Sequence, residues 1–392
     1  MKDLKSSPDW VAKHIASLPK SGIRDFFELV NSMQDVISLG IGEPDFDTPW
    51  HIREATIYAL NRGFTSYTSN LGDLRLRKAV CNYAKEQFGL EYRPDSECII
   101  TVGVSEGLDL VLRAVLNPGD EVLYHEPCYV SYAPTIRMTH AVPVPVQTYE
   151  KNDFVLQVSD LEAKVTDRTR VLLLNYPNNP TGAGLTIADK KALADFAIRH
   201  NLLVISDEIY EELSYIPRSP SIASLPGMRE RSVVLNGFSK AFAMTGYRIA
   251  YAIGNPAIID AMMKIHQYSM LCASSIAQAA ALEALQNGAI PREEMRSEYE
   301  QRRNVIVKRL NEMGLDCFTP RGAFYVFPCI RKSGLSSHEF ATRLLQQKKV
   351  AVVPGVAFGA CGEGFVRCAY ATSLDDIEVA MIRLREFLAE IQ

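Results

Sequence analysis

Lys240 and Arg248 lie in the stretch of this sequence whose residue types most directly suggest chemistry. The stretch covers residues 236–248 and reads Asn-Gly-Phe-Ser-Lys-Ala-Phe-Ala-Met-Thr-Gly-Tyr-Arg. Most Lys/Arg pairs of this kind are solvated cations of a surface hairpin, but the apolar residues that follow the lysine argue against a solvated loop. An amine in apolar surroundings is disfavoured as a cation, and a neutral amine can attack an aldehyde. Taken alone, the stretch fits the surface hairpin and the reactive lysine equally well.

A carboxylate and a tyrosine follow a second apolar run, Leu-Leu-Val-Ile-Ser-Asp-Glu-Ile-Tyr at 202–210. Open α/β sheets bind their ligands at the carboxyl ends of their strands, which is where Asp207 falls. An acid at such a position more commonly caps the next helix. It can instead keep the ring nitrogen of a pyridine-type cofactor protonated, and Tyr210 could then donate to an oxygen of the same ring.

Two more polar turns follow apolar runs. Residues 175–182 read Asn-Tyr-Pro-Asn-Asn-Pro-Thr-Gly, in which Asn-Pro and Thr-Gly are also plain turn residues. Residues 102–107 read Val-Gly-Val-Ser-Glu-Gly, where a strand ends in glycine and a helix begins. The backbone amides and the serine hydroxyl of that turn suit a phosphate, although the Gly-Lys-Ser/Thr ending of a P-loop is missing. Small residues are common at such turns, so this motif is unspecific by itself.

The elements predicted around these turns belong to one sheet. Short apolar runs alternate with helical patterns from about residue 48 to residue 286, as at 106–116, 187–200 and 274–285. Strand–helix alternation with continuous apolar strands favours a mainly parallel sheet covered on both faces. Each of the four chemical stretches falls at the end of a predicted strand. The predicted strands are 98–102, 121–124, 141–146, 171–175, 202–206, 233–236 and 247–253.

The pattern changes after Gly288, where we place the start of a smaller α+β lobe. The elements predicted there are a charged helix at 291–313, a segment at 324–327, strands at 350–353 and 365–370, and helices at 337–347 and from 374. Two lobes suit 392 residues, because single cores stop growing beyond roughly 250–300 residues. We expect an N-terminal arm with the start of the small domain at 1–47, a large domain at 48–287 and a small domain at 288–392. The pattern leaves open whether segment 22–39 joins the small lobe.

Together the four stretches resemble the fold-type I, class I/II aminotransferases, in the branch that contains aspartate and aromatic aminotransferases. The similarity runs from Ser-Leu-Gly-Ile-Gly-Glu-Pro-Asp-Phe-Asp-Thr-Pro at 38–49 to Phe-Val-Arg-Cys-Ala-Tyr-Ala-Thr-Ser at 365–373. Archaeal-type aromatic aminotransferases look most similar. The lysine–arginine stretch and Pro-Asn-Asn-Pro-Thr-Gly are the specific signals. The resemblance implies an α/β, three-layer fold of the pyridoxal-phosphate-dependent transferase type. It also implies ping-pong transfer of amino groups between amino acids and 2-oxo acids such as 2-oxoglutarate.

The resemblance implies a role for each residue that matches a family motif. It implies that Lys240 carries the cofactor pyridoxal 5'-phosphate and shuttles the substrate proton. It places Asp207 at the pyridinium nitrogen of the cofactor, Asn179 and Tyr210 at the ring oxygen, and Tyr129 stacked on the ring. The residues implied around the phosphate are Arg248, Val104, Ser105 and Ser239. The implied substrate-binding residues are Gly42, Asn179 and Arg367, of which Arg367 grips the α-carboxylate.

Tyr67, in Thr-Ser-Tyr-Thr-Ser-Asn-Leu-Gly, matches a tyrosine that reaches the phosphate of the neighbouring subunit in this family. The resemblance therefore implies a homodimer with shared active sites. A tyrosine packed within its own subunit is the alternative.

Two positions bear on cofactor affinity and on substrate choice. Many relatives have serine or threonine three residues before the lysine, whereas this chain has Gly237. One hydroxyl ligand of the phosphate is therefore lost. The sequence leaves open whether the hydroxyl of Ser239 replaces it. The turn at 103–107 contains no lysine, although some aspartate-selective relatives carry one there. Its absence favours a broad or aromatic/aliphatic specificity over a strict preference for dicarboxylates.

The composition of the chain limits the partners and cellular locations to be expected for it. A net charge of -4, with 47% hydrophobic and 22% charged residues and no basic tract, is ordinary for a soluble protein and argues against nucleic acid as a partner. The N-terminus lacks the apolar core of a signal peptide, and no apolar run approaches the ~20 residues of a membrane helix. The eight cysteines include no C-x-x-C pair, and the seven histidines form no metal motif. We expect a cytoplasmic protein that binds small molecules, without a metal site or a membrane partner.

Three other functions compete with amino transfer. Another reaction of the same cofactor, such as the β-elimination of a β-lyase or a racemisation, would use the same site, and only return of the amine form of the cofactor by a keto acid separates them. A cofactor-sensing transcription regulator would need a DNA-binding module, for which the stretch before Gly22 is too short. A nicotinamide dehydrogenase would need G-x-G-x-x-G after a strand, which is missing, and would leave the lysine–arginine stretch unexplained.

Overall fold

The computed structural model describes residues 10–18 and 33–391. Of the segment 22–39, residues 33–39 are therefore described and the remainder lies outside the described residues. All of the predicted strands and chemical stretches fall within the described part of the chain.

A seven-stranded sheet forms the centre of the large lobe. Its strands are β2 (Cys98–Thr101), β3 (Glu121–Glu126), β4 (Val142–Gln147), β5 (Thr169–Asn175), β6 (Leu203–Asp207), β7 (Ser232–Gly237) and β8 (Ala250–Gly254), in the order β2-β8-β7-β6-β5-β3-β4. Four of the six neighbouring pairs are parallel, and β8 runs antiparallel to both of its neighbours. The prediction of a mainly parallel sheet in an α/β fold is confirmed. The carboxyl ends of β5, β6 and β7 consequently meet at one edge of the sheet.

Helices cover both faces of this sheet and make a three-layer structure. Along β5, Leu172 and Leu174 pack into the cluster that contains Phe196, whereas Val171 and Leu173 pack into the cluster that contains Leu108. This alternation follows from the two-residue period of a strand, and it explains why the strand is apolar throughout. The α-helices of residues 10–18 and 33–287 are α1 (Lys13–Ala16), α2 (Trp50–Asn61), α3 (Leu74–Phe88), α4 (Gly103–Val115), α5 (Tyr132–Met138), α6 (Val158–Glu162), α7 (Ile187–Arg199), α8 (Pro256–Ser269) and α9 (Ser275–Asn287).

The C-terminal part has two small sheets and packs around a hydrophobic cluster that also includes Ile209, Tyr210 and Leu213 of the large lobe. Its elements are α10 (Ala289–Glu312), β9 (Tyr325–Val326), α11 (Ser337–Lys348), β10 (Val350–Ala351), β11 (Val353–Pro354), β12 (Val366–Ala369) and α12 (Leu374–Ile391). Strands β11, β12 and β9 form an antiparallel sheet in that order. Strand β1 (Ile37–Ser38) pairs in parallel with β10, so this short segment of the N-terminal region lies on the C-terminal part. No helix of residues 10–18 and 33–391 is both long and apolar enough to cross a membrane.

Three predicted elements differ from the structure by more than two residues or by a division, each for a local reason. The strand predicted at 350–353 divides at Val352, because its first half pairs with β1 and its second half with β12. The strand predicted at 247–253 begins at Ala250, because a short 3-10 turn and a left-handed Arg248 precede it. The helix predicted from residue 106 already begins at Gly103, since the Glu106 carboxylate accepts a hydrogen bond of 2.5 Å from the backbone N–H of Val102 and holds the first turn.

Candidate active site

A cavity of about 530 Å³ opens at the carboxyl ends of the central strands. Of the twelve site residues that the sequence predicted, all but Tyr67 line it. Those lining it are Gly42, Val104, Ser105, Tyr129, Asn179, Asp207, Tyr210, Ser239, Lys240, Arg248 and Arg367. Tyr67 lies elsewhere, with its side chain 80% exposed on this chain. Residues from both lobes therefore meet in one cleft of a size suited to a small molecule.

Lys240 lies three residues beyond the end of β7, with its amine directed into the cleft. Its Nζ donates a hydrogen bond of 2.8 Å to the backbone carbonyl of Gly42. The pKa of this amine is lowered to about 8, mainly by burial; the charge of Glu43 opposes this shift, and the positive charges of Arg367 and Arg248 add to it. A substantial fraction of the amine is therefore neutral near pH 8, which is the state that a nucleophilic lysine requires.

Asp207 is the last residue of β6 and is 5% exposed. Burial raises the pKa of its carboxyl group to about 6, although the hydroxyl of Tyr132 and the backbone N–H of Ile209 donate to it at 2.7 Å and 3.2 Å and hold the pKa down. The two donors occupy only part of the acceptor capacity of a carboxylate. Asp207 can therefore accept a further bond from a cationic donor within the cleft.

The turn at 175–182 is held by its own side chains. The side chain of Asn175 donates to the carbonyl of Asp207 at 3.0 Å and accepts from the backbone N–H of Asn179 at 3.2 Å. The side-chain oxygen of Asn178 accepts from both the N–H and the hydroxyl of Thr181. This bonding fixes Asn179 at the cavity wall, next to β6.

Arg367, on β12, is the cation that the C-terminal part contributes to the cleft. Its Nη1 donates to Oδ1 of Asn179 at 2.9 Å and its Nη2 donates to the carbonyl of Gly40 at 2.5 Å. The side chain is 4% exposed, and its buried Nε has no partner among the described residues. A planar cation of this kind, with donor capacity to spare, suits bidentate recognition of a carboxylate.

Arg248 and the start of α4 form a second cationic region. A Cβ at Gly103 would collide with the guanidinium of Arg248, so glycine is needed for this approach. Gly103 has φ +76° and Arg248 has φ 53°, and both are left-handed conformations. The 13-residue helix α4 directs its first backbone N–H groups towards this region. The guanidinium and the helix N-terminus together suit a phosphate.

Gly237, where many relatives have a hydroxyl residue, has no space for a side chain. It stands opposite Ala250 in the β7–β8 ladder, and a Cβ at this position would lie 2.6 Å from the Ala250 Cβ. Ser239 lies two residues further on and lines the cavity. The close approach of β8 is therefore the physical reason that Gly237 carries no hydroxyl.

Five polar residues of the cleft were missed by the sequence analysis. They are Glu43, Tyr132, Asn175, Thr245 and Tyr325, all of which line the cavity. Asn175 and Tyr132 lie within stretches that were already under consideration, at the end of a predicted strand and three residues after Tyr129. Tyr325 carried no local signal, because it looks like one more buried aromatic of a short strand.

These residues fit a pyridoxal phosphate molecule by the chemistry of their donor set. A buried carboxylate, an amine with a lowered pKa and a guanidinium beside a helix N-terminus match a pyridinium nitrogen, an aldehyde and a phosphate. The space left at Gly103 fits the same interpretation, since it admits the guanidinium to the anion-binding region. Among residues 10–18 and 33–391 there is no group of three or more histidines, cysteines or carboxylates arranged to hold a metal ion.

The chain is similar in sequence and fold to known aminotransferases. A family model described as aminotransferase class I and II matches residues 34–384. The chain is 47% identical over 373 residues to aromatic-amino-acid aminotransferase 2 of Thermococcus litoralis, covering 94% of this chain and 96% of that protein. It is also 47% identical over 373 residues to an aspartate aminotransferase of Pyrococcus abyssi, with the same coverage. The crystal structure of the aromatic aminotransferase from Pyrococcus horikoshii OT3 superimposes with a TM-score of 0.90 at 47% identity, covering 94% of this chain and 99% of that one.

Proposed function

Because the chain belongs to the class I and II aminotransferases, we propose that the cavity is where it transfers amino groups, with pyridoxal 5'-phosphate as cofactor. The family identifies the protein as an enzyme that moves an amino group between an amino acid and a 2-oxo acid. Its relatives described above are named for amino transfer, and no observation favours the β-lyase alternative. The observation that carries the proposed site is that Lys240, Asp207 and Arg367 converge on one cavity from three separate segments.

Each part of the cofactor has residues of this chain that would hold it. Asp207 would bind the pyridinium nitrogen, and Asn179 and Tyr210 would bind the ring oxygen. Arg248, Ser105, Ser239 and the backbone N–H of Val104 would bind the phosphate, while Tyr129 would cover the ring. When bound, pyridoxal 5'-phosphate supplies an aldehyde that takes up the amino group and a ring that accepts electrons from the substrate Cα.

Lys240 performs the proton transfer in this proposal. In its neutral state the amine would accept the proton from the substrate Cα, and as a cation it would donate that proton again to complete the transfer. Burial favours that neutral state, since it lowers the pKa of the amine to about 8. A general base is most effective when its pKa lies near the working pH.

Arg367 holds the carboxylate that amino acids and 2-oxo acids share. Both substrates would use this one clamp in turn, which is what a ping-pong reaction requires. Asn179 fixes one edge of the guanidinium by accepting from Nη1, and Gly40 fixes the other by accepting from Nη2. Gly42 would border the bound substrate next to Lys240.

For the substrate side chain, the cleft favours aromatic or aliphatic amino acids. Among the residues that the structure describes, the cations that line it are Lys240, Arg248 and Arg367, and each already has a role in the proposal. The lining also includes the apolar residues Ile41, Val104 and Val130. A panel of amino donors with 2-oxoglutarate as acceptor tests this directly. Faster turnover of phenylalanine or leucine than of aspartate is expected, and the reverse order would contradict the proposed specificity.

We further propose a homodimer in which Tyr67 completes the partner's phosphate site. Large apolar residues are exposed on the loop of Tyr67 and beside the segment that this loop contacts, and exposed apolar residues of this kind are typical of a protein interface. Phe64, three residues before Tyr67, is 45% exposed, and Tyr268, three residues before Leu271, is 88% exposed on this chain. Asn70 of the Tyr67 loop donates to the carbonyl of Leu271 at 2.7 Å, so this loop and the end of α8 form a continuous surface.

Domain division and location complete the proposal. We assign residues 48–287 to the large domain and residues 288–392 to the small domain, with an arm and the start of the small domain at 1–47. The junction falls at Gly288, between α9 and α10. A cytoplasmic location is supported by the eight cysteines, all of which are free thiols.

A further inference from the structure

Tyr325 lies where the two lobes meet in the cleft. It is the first residue of β9, is 1% exposed and lines the cavity. Through the pairing of β9 with β12 it stands opposite Ala369, two residues from Arg367. The backbone of Tyr325 therefore belongs to the C-terminal part, whereas its side chain extends towards groups that the large lobe contributes.

The hydroxyl of Tyr325 forms a pair with the hydroxyl of Tyr210. The two oxygens lie 2.8 Å apart, and both side chains are buried. A hydroxyl has one proton to donate. When Tyr210 donates its proton to the ring oxygen of the cofactor, its own oxygen is free to accept from Tyr325. Each bond of such a chain polarises the next, so the donor at its end becomes stronger.

The ring of Tyr325 supports the guanidinium of Arg367. The guanidinium carbon lies 4.6 Å from the centre of the Tyr325 ring and 4.8 Å from that of Phe358. Guanidinium groups stack favourably on aromatic faces. With its Nη atoms bonded to Asn179 and Gly40, the guanidinium is thereby fixed in both position and plane.

Gly42 leaves the space that the Tyr325 hydroxyl occupies. A Cβ at Gly42 would collide with this hydroxyl. The carbonyl of Gly42 also accepts the hydrogen bond from Nζ of Lys240. One tyrosine therefore lies next to the ring-oxygen donor, the carboxylate-binding cation and the segment that orients the lysine amine.

We propose that Tyr325 is a positioning residue that couples the carboxylate clamp at Arg367 to the ring-oxygen donor Tyr210. The role rests on the proposed function, because it presumes that Tyr210 and Arg367 bind cofactor and substrate. Its two contacts are chemically separable. The hydroxyl acts on the electronic state of the cofactor through Tyr210, whereas the ring acts on carboxylate affinity through Arg367.

The pH dependence of the visible absorption of the holoenzyme tests the hydroxyl. A donor at the ring oxygen stabilises the deprotonated form of the bound cofactor, so loss of a donor raises the pH midpoint. Tyr210→Phe should raise it by about 1 unit and Tyr325→Phe by a few tenths of a unit. In the Tyr210→Phe background, Tyr325→Phe should add no shift. Arg367 and Tyr129 are the other charged or titratable groups whose fields act on both hydroxyls, and all these variants retain them.

The affinity of the holoenzyme for 3-phenylpropanoate tests the ring. This carboxylate has no amino group, so its binding reports the clamp without turnover. Tyr325→Leu should weaken binding roughly 5–30-fold because the stacking face is lost, while Tyr325→Phe should stay within about twofold of wild type because it keeps that face. If the leucine variant does not fold, Tyr325→Met provides the same test with more of the volume retained.

Tyr370→Phe is the matched control, since it removes another buried hydroxyl of the same lobe. That hydroxyl donates to the carbonyl of Ala323 at 3.0 Å, outside the residues that line the cleft. The control should change neither the pH midpoint nor the ligand affinity.

An unshifted midpoint in Tyr325→Phe would overturn the coupling through Tyr210, and so would a shift that persists without the Tyr210 hydroxyl. Wild-type affinity for 3-phenylpropanoate in both Tyr325→Leu and Tyr325→Met would overturn the support of Arg367. A wild-type protein that acquires no visible band with pyridoxal phosphate would instead overturn the proposed function, and the role of Tyr325 with it.

Discussion

The hydroxyl of Tyr132 donates a 2.7 Å hydrogen bond to Oδ2 of Asp207 at the end of a buried strand. Tyr132 is 2% exposed and Asp207 is 5% exposed, so this bond forms away from solvent. Burial raises the pKa of the carboxyl group to about 6, and the tyrosine offsets part of that effect. The charged form of the Asp207 carboxyl group is therefore disfavoured in this buried position until a cationic group binds next to it.

We predict that Asp207→Asn makes the cofactor-free protein more stable above about pH 6. The folded-state pKa of about 6 lies above the ordinary value of 3.8, so folding is favoured below about pH 4 and that contribution is lost as the pH rises through 6. The substitution should increase the free energy of unfolding at pH 7.5 by up to about 3 kcal/mol and change it little near pH 4. Urea unfolding at the two pH values measures both effects, with the exposed Asp167→Asn as control.

The same substitution should have the opposite effect on catalysis. With cofactor bound, Asp207→Asn should retain the fold but lose most of its turnover, by several kcal/mol of activation free energy. Near-normal turnover would remove Asp207 from the role of ring-nitrogen partner.

Tyr132→Phe should move the pH dependence of Asp207 upwards. The hydroxyl of Tyr132 lowers the pKa of this carboxyl group, so its removal raises the pKa above about 6. In the cofactor-free protein, the loss of stability with rising pH should therefore begin at a higher pH than in wild type. Unfolding midpoints between pH 4 and pH 8 measure this shift. An unchanged profile would show that Tyr132 does not control the protonation of Asp207.

Lys240 should be the residue to which borohydride fixes pyridoxal phosphate. Because burial lowers the pKa of its amine to about 8, labelling should speed up about tenfold between pH 7 and pH 9 and then level off. An amine with the ordinary lysine pKa would gain about a hundredfold over the same interval. Mass spectrometry of the labelled peptide identifies the site, and the exposed Lys164→Ala serves as control. A label on any other lysine would contradict the assignment.

Arg367→Lys should weaken the binding of amino acids and 2-oxo acids together. Lysine cannot reproduce a bidentate contact, and loss of a buried charged partner costs about 3 kcal/mol, or roughly a hundredfold in kcat/KM. Steady-state kinetics with both co-substrates, beside the visible spectrum, measure the effect. Arg343→Lys, on the partly exposed side of α11, is the control. Loss of the cofactor, or an effect on one co-substrate alone, would argue against the carboxylate clamp.

A mixed dimer should show whether Tyr67 acts across the subunit interface. Chains with Lys240→Ala combined with chains with Tyr67→Ala should form heterodimers with one intact site, which takes Lys240 from one chain and Tyr67 from the other. The cofactor affinity of that site should equal wild type, whereas Tyr67→Ala homodimers should hold the cofactor weakly. If every Lys240-containing site in the mixture keeps the weakened affinity, Tyr67 acts within its own subunit.

The sequence by itself determined which residues reach one edge of the sheet. Asp207 is the last residue of β6, and Lys240 follows β7 after two further residues. The hydrophobic pattern of the sequence marks where such strands end, and neighbouring parallel strands bring their carboxyl ends to the same edge of a sheet. The convergence of these residues, together with the anion-binding turn at the start of α4, could therefore be predicted before the tertiary structure was known.

Only the tertiary structure decided how the two lobes complete the cleft. Tyr325 contacts Tyr210 across 115 residues of sequence, and Arg367 contacts Asn179 across 188. Such contacts depend on how the C-terminal part packs against the large lobe, and no local period encodes that packing. Tertiary packing also explains why position 237 is a glycine. The sequence shows only that a hydroxyl ligand is missing there, whereas the structure shows that Ala250 on the neighbouring strand leaves no space for a side chain.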